Sequence, residues 1–310
     1  MVSYQPRGVD TLLALAGAVL ALVLTPPAQS AEVLKLTHQG TERTIILQRT
    51  RDVRAAPPPL LIVLHGSGAN AETFRVRNRF DVTADREKFV VAYPDAIGKV
   101  WRFGQVLEQG VPENEAIDDV GFIRAVIDDL VSRKIADPAR VYVTGVSRGA
   151  LMSYTIACLL HDKVTAVAPL ISPMTDKQRD ACRTARPIPI MVIAGTADKV
   201  LPFDGQRLPK ARLLSIPETM DFWRKAHACG APQKRTLPHR EASDPTRIEA
   251  TTWSECKSGA RLVLYRVEGG GHRLPSLASD EPAAEKRAGP RNRDVETADE
   301  VWEFFRGFSR

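Results

Sequence analysis

The stretch VYVTGVSRGA, residues 141–150, decides the fold. Val141 to Thr144 is an apolar run of strand character, Gly145 to Gly149 carries the G-x-S-x-G spacing, and a helical pattern runs from about Ala150 to Leu160. Strand, sharp turn and helix in that order are the context in which this motif holds a serine hydroxyl exposed at a strand end. The two glycines permit the tight backbone turn. Ser147 is therefore the candidate nucleophile.

Outward from this turn the chain alternates strands and helices. Thr44 to Gln48, Leu60 to Leu64 and Phe89 to Tyr93 read as strands before it. Val164 to Pro169, Ile188 to Ala194, Ile248 to Trp253 and Leu262 to Val267 read as strands after it. Runs such as Leu60–Leu64, apolar at every position, suit strands buried on both faces of a parallel sheet. Helices are expected after Asp118 and Asp119 (apolar at Phe122, Ile123, Val126, Ile127 and Leu130), over about Ile216 to Ala228, and over about Val295 to Phe308. Asp118 and Asp119 stand where a helix cap is wanted, which outweighs reading them as an acid and base pair. The pattern predicts one α/β domain over residues 31–310, with a mostly parallel sheet and helices on both faces. Ser276 to Arg293, charged and rich in Ala and Pro, reads as an exposed loop.

A serine hydroxyl is a weak nucleophile near neutral pH and needs a base, which in turn needs an orienting carboxylate. Asp198 follows the strand ending at Ala194, and His272 follows the strand ending at Val267. Both fall at carboxyl ends of strands, where open α/β sheets gather their sites. Asp204 is the competing carboxylate, set further from its strand. Backbone N–H donors for an oxyanion are expected from Arg148, next to Ser147, and from Ser67 in the His65–Gly68 loop. His65 reads as a structural partner within that loop. Trp101 either lines a substrate pocket or covers the core, and Trp223 and Trp302 are core candidates.

HGSGAN at 65–70, DDVGF at 118–122, GVSRG at 145–149, GTADKVLPFDG at 195–205 and GGGHRLP at 269–275 occur in order. Together they resemble the secreted polyhydroxybutyrate depolymerase and feruloyl esterase family of α/β-hydrolases, also called LpqC-like. The resemblance runs from about residue 58 to the final helix. It implies the α/β-hydrolase fold and ester hydrolysis through an acyl-enzyme, without metal or organic cofactor. The family's usual Trp in GGGHxWP is Leu274 here, so Leu274 replaces an aromatic pocket wall. Esters of 3-hydroxybutyrate are the first expectation for substrate, and feruloyl or acetyl esters of plant polysaccharide the second. A serine peptidase and a non-catalytic binding module are the rivals from other classes.

The whole chain has 310 residues, 44% of them hydrophobic and 26% charged, a balance that excludes wholesale disorder, collagen-like sequence and coiled coil. The apolar run Thr11 to Leu24 follows Arg7 and exits into PPAQSA, so residues 1–30 read as a secretory signal rather than a span, which needs about 20 apolar residues. The net charge of +6 is scattered, which argues against a nucleic-acid partner and leaves a small or polymeric ester as the expected one. Export leads to an oxidising compartment, where Cys158, Cys182, Cys229 and Cys256 permit two disulfides in three connectivities. Pairing 158 with 182 and 229 with 256 closes the shortest loops and is the expected one. No close Cys or His spacing points to a metal.

Overall fold

A computed structural model describes Met1 and residues 31–50, 56–103, 117–209, 211–278 and 282–310. Nearly all of the expected signal segment, residues 2–30, lies outside these. The sheet elements are β1 (Glu32–His38), β2 (Thr41–Gln48), β3 (Leu60–Leu64), β4 (Val90–Pro94), β5 (Val141–Val146), β6 (Ala166–Leu170), β7 (Ile190–Gly195), β8 (Gln206–Arg207), β9 (Arg212–Leu213), β10 (Gln233–Thr236), β11 (Arg247–Trp253) and β12 (Leu262–Glu268). The α-helices are α1 (Ala71–Arg77), α2 (Phe80–Glu87), α3 (Asp119–Ser132), α4 (Arg148–Leu159), α5 (Asp176–Ala181), α6 (Ile216–Ala226), α7 (Pro282–Ala288) and α8 (Thr297–Phe305).

Ten strands form one sheet in the order β1-β2-β4-β3-β5-β6-β7-β12-β11-β10, and β8 pairs with β9 separately. From β4 to β12 every neighbouring pair is parallel, while the two strands at each edge pair antiparallel. Period-two alternation splits the central strands between two cores. Leu60, Ile62, Leu64, Val141 and Val143 face the layer containing α3, α4 and α6, with Phe122, Met152 and Trp223. Leu61, Val63, Tyr142 and Met191 face the layer containing α1, α2 and α8, with Phe74, Phe80 and Phe305. Phe305 stacks on Tyr142 with ring centroids 4.9 Å apart, and Trp302 stacks on Phe89 at 4.0 Å. The fold is that of an α/β-hydrolase, with helices on both faces as expected.

Asp118 caps α3, accepting from the Gly121 N–H at 2.7 Å. Asp119 departs from the capping expectation. Its carboxylate is buried, with Oδ1 taking a guanidinium hydrogen of Arg43 at 2.6 Å and Oδ2 the Arg102 N–H at 2.7 Å. Burial raises its pKa, the two arginines opposing that rise. The two disulfides join Cys158 to Cys182 and Cys229 to Cys256, the pairing that the shortest loops suggested. Among the described residues no helix is long and apolar enough to cross a membrane.

The Ser276–Arg293 stretch is not simply an exposed loop. It contains α7, buries Asn292, and supplies the Ala288 and Pro290 carbonyls to the N–H groups of His272 and Gly271 at 2.7 and 2.8 Å. Its composition lacks the 3.6 and 2.0 periodicities that would have marked it.

Candidate active site

Three loops leave the same edge of the sheet, because β5, β7 and β12 run parallel. Ser147 stands between β5 and α4 with φ 57° and ψ −117°. A non-glycine residue rarely occupies positive φ, and such strain is held only where surroundings over-determine it. The surroundings here are close. A Cβ on Gly145 would lie 2.2 Å from the Gly149 carbonyl oxygen, and one on Gly149 would lie 2.4 Å from that of Leu64. No side chain fits at either position, so the turn stays tight and Ser147 remains partly exposed at its tip.

The loops after β7 and β12 are laced together by backbone. Thr196 N–H reaches the Val267 carbonyl and Ala197 N–H the Gly270 carbonyl, both at 2.9 Å. Gly269 N–H reaches Thr196 Oγ1 at 2.9 Å. This lacing brings Asp198 to His272, with Oδ2 2.6 Å from Nδ1. The other carboxylate oxygen accepts from the N–H groups of Val200 and Leu201 at 2.8 and 2.9 Å, so both oxygens are held. Asp198 is buried while the His272 side chain is 14% exposed, which leaves the ring reachable from solvent. Asp204, the competing carboxylate, is exposed.

The His65–Gly68 loop lies against the elbow, since a Cβ on Gly66 would be 3.5 Å from that of Ser147. His65 is buried and holds the loop from within. Ala96 N–H donates to Nε2 at 3.2 Å, which leaves Nδ1–H to donate to the Gly66 carbonyl at 2.8 Å. Burial lowers its pKa, in keeping with a neutral ring. Ser67 is exposed at the bend. Arg148 opens α4, where the first N–H groups have no intrahelical acceptor. Its guanidinium donates from Nε to the Trp101 carbonyl at 2.8 Å and lies over Phe103, and burial pulls its pKa down to about 10.

Trp101 is not a substrate-pocket wall. Its indole is fully buried, and Nε1–H donates to the His65 carbonyl at 2.9 Å, so it supports the loop from below. Its size and position between core elements fitted either role, and burial decides. Leu274, by contrast, lines a cleft that also contains Val146, Ile171 and His272. That cleft brings in Arg77, Arg79, Arg287 and Arg291, which sequence reading did not single out. They are scattered along the chain, and only the packing of α1 and α7 near His272 collects them.

Residues 52–186 match the family described as Esterase PHB depolymerase. The "Putative esterase NocK" of Nocardia uniformis subsp. tsuyamanensis is 29% identical, over 94% of this chain and 89% of its own length. "Feruloyl esterase B" of Piromyces equi is 27% identical over 69% of this chain, which spans 39% of that protein's length. Among solved structures, the acetyl xylan esterase from Aspergillus awamori superposes with a TM-score of 0.59 at 14% identity, covering 88% of this chain and 98% of that one, a likeness of fold. The frame is that of an α/β-hydrolase, and in these matches the chain is similar to esterases of the PHB-depolymerase type, the family its motifs resemble.

Proposed function

We propose that the protein is an exported serine carboxylic-ester hydrolase. Ser147 attacks the ester carbonyl while Nε2 of His272 takes its proton. Asp198 holds the imidazole in the tautomer that leaves Nε2 free to accept and balances its charge once protonated. Backbone N–H groups of Arg148 and Ser67 carry the oxyanion. The alcohol leaves with the proton from His272, and water, deprotonated by the same ring, releases the acid. The observation that carries this reading is the 2.6 Å contact of His272 Nδ1 with a buried Asp198, joined to an elbow whose serine sits at positive φ.

Esters of 3-hydroxybutyrate, as oligomers or polyester, are the first substrate class, supported by the family description. Feruloyl or acetyl esters of plant polysaccharide are the second, the feruloyl esters supported by the name of the Piromyces relative. Export is supported by the two disulfides and the leading apolar run. Ser147→Ala is the test. A folded variant should hydrolyse a short p-nitrophenyl ester at least about 10³-fold more slowly than the parent. Near-parental turnover would refute the assignment. A panel of the candidate esters ranked by kcat/KM separates the two substrate classes.

A further inference from the structure

Five arginines line the cleft of about 540 Å³ beside His272 among the described residues. Arg77 closes α1 and Arg79 follows it, Arg273 adjoins the histidine, and Arg287 and Arg291 enter from α7 and the turn beyond. Among the described lining residues Glu296 is the one carboxylate. Its Oε2 accepts from Ser276 Oγ at 2.9 Å and lies 3.6 Å from Arg79. The Arg291 guanidinium donates to the Ala278 carbonyl. Arg77 and Arg287 enter no ion pair or side-chain hydrogen bond among the described residues.

Guanidiniums gathered on a concave surface repel one another unless an anion joins them, and their planar forks match a carboxylate best. We propose that this cleft binds a carboxylate carried by the ester substrate, with Arg77 and Arg287 as its specificity-determining contacts. The inference rests on the hydrolase reading and narrows it. A 3-hydroxybutyrate oligomer with a free acid end carries such a carboxylate on the alcohol side of its last ester. A monoester of a dicarboxylic acid carries one on the acyl side. Interior units of a neutral polyester, and acetyl esters of neutral sugars, carry none. His272 shares the cleft with the arginines, so a bound carboxylate would sit on the same molecule as the bond being cut.

The experiment compares the 3-hydroxybutyrate dimer as free acid and as methyl ester of that acid, with p-nitrophenyl acetate as a neutral reference and p-nitrophenyl hemisuccinate as the acyl-side acid. Hydrolysis of the inner ester is followed by chromatography, in the parent, Arg77→Gln and Arg287→Gln. The parent should favour the free-acid dimer, the hemisuccinate or both over the neutral counterparts by about 10-fold or more in kcat/KM. The preference should fall with added salt and shrink to within about 3-fold in either variant. Which acid ester is preferred identifies the side of the scissile bond that the cleft serves. The parent comparison stands even where a variant does not fold. Equal turnover of acid and neutral esters, or a preference for the neutral ones, overturns the inference while leaving the hydrolase reading intact. So does a preference that survives both substitutions. Turnover of p-nitrophenyl acetate without turnover of any acid ester overturns it too, whereas no turnover of any ester overturns both readings.

Discussion

His272 and Asp198, 74 residues apart in the chain, meet with Nδ1 2.6 Å from Oδ2, and each is carried by a loop hydrogen-bonded to the other's. The contact fixes which ring nitrogen carries hydrogen. Asn at position 198 can retain the loop bonds to Val200 and Leu201 through its carbonyl, but its amide then offers hydrogen to Nδ1 and drives the ring to the other tautomer. Asp198→Asn should therefore lower kcat on a p-nitrophenyl ester by about 10⁴-fold with the melting temperature little changed. Steady-state kinetics and a thermal melt on the same preparation check this. A loss under about 10-fold would remove Asp198 from the orienting role.

At the elbow, the prediction concerns stability first. Gly145→Ala brings a methyl to 2.2 Å from the Gly149 carbonyl, and Gly149→Ala brings one to 2.4 Å from that of Leu64. Both neighbours are backbone and cannot swing aside. Each change should cost about 1–3 kcal/mol or more and shift the melting point down by several degrees. Activity should fall with it, because Ser147 moves with the turn. An unchanged melt would show that the elbow has slack that its geometry does not suggest.

The Arg43–Asp119 pair is buried on both sides, with 3% and 0% of the two side chains exposed. Asp119→Ala leaves a buried guanidinium without its carboxylate and strips the Arg102 N–H of its acceptor. The expected loss is about 3–5 kcal/mol, read from the urea midpoint. Arg43→Met combined with Asp119→Leu should recover part of it, since no uncompensated charge remains. A double variant as unstable as the single would point to the lost Arg102 bond instead.

His227 links stability to acid. The ring is fully buried against Trp223, and burial pulls its pKa down from 6.5 to about 4. The unfolded chain therefore binds the proton more readily than the folded one, so folding loses stability as pH falls from 6.5 toward 4. The loss from this group should be on the order of 3 kcal/mol by about pH 4. His227→Gln should flatten that part of the urea stability profile between pH 7 and 4.5. A slope equal to the parent's would assign the acid sensitivity elsewhere.

The legible part of this molecule is its sheet centre. Leu60–Leu64 is buried on both faces and apolar throughout, Val141–Val143 is buried and apolar likewise, and the ends of both strands could be read from the turns that follow. The places of Ser147, Asp198 and His272, each after the carboxyl end of a parallel strand, were readable for the same reason. The edge strand β1, with four of its seven residues exposed, and the short helices α1, α2, α5 and α7 left no clear period. Trp101 could not be assigned because a buried and a pocket-lining indole look alike in sequence. Asp119 passed for a cap because its partner, Arg43, lies 76 residues away. The arginine cleft was invisible for that reason too, since like charges spread over more than 200 positions converge only in space.

The most direct measurement is labelling with a fluorophosphonate followed by peptide mapping by mass spectrometry. The account predicts one adduct, on Ser147, formed in parallel with loss of ester hydrolysis and slowed at least about 10²-fold in His272→Ala. Hydrolysis that continues while Ser147 stays unlabelled, or an adduct on a different residue that accounts for the lost activity, would contradict it.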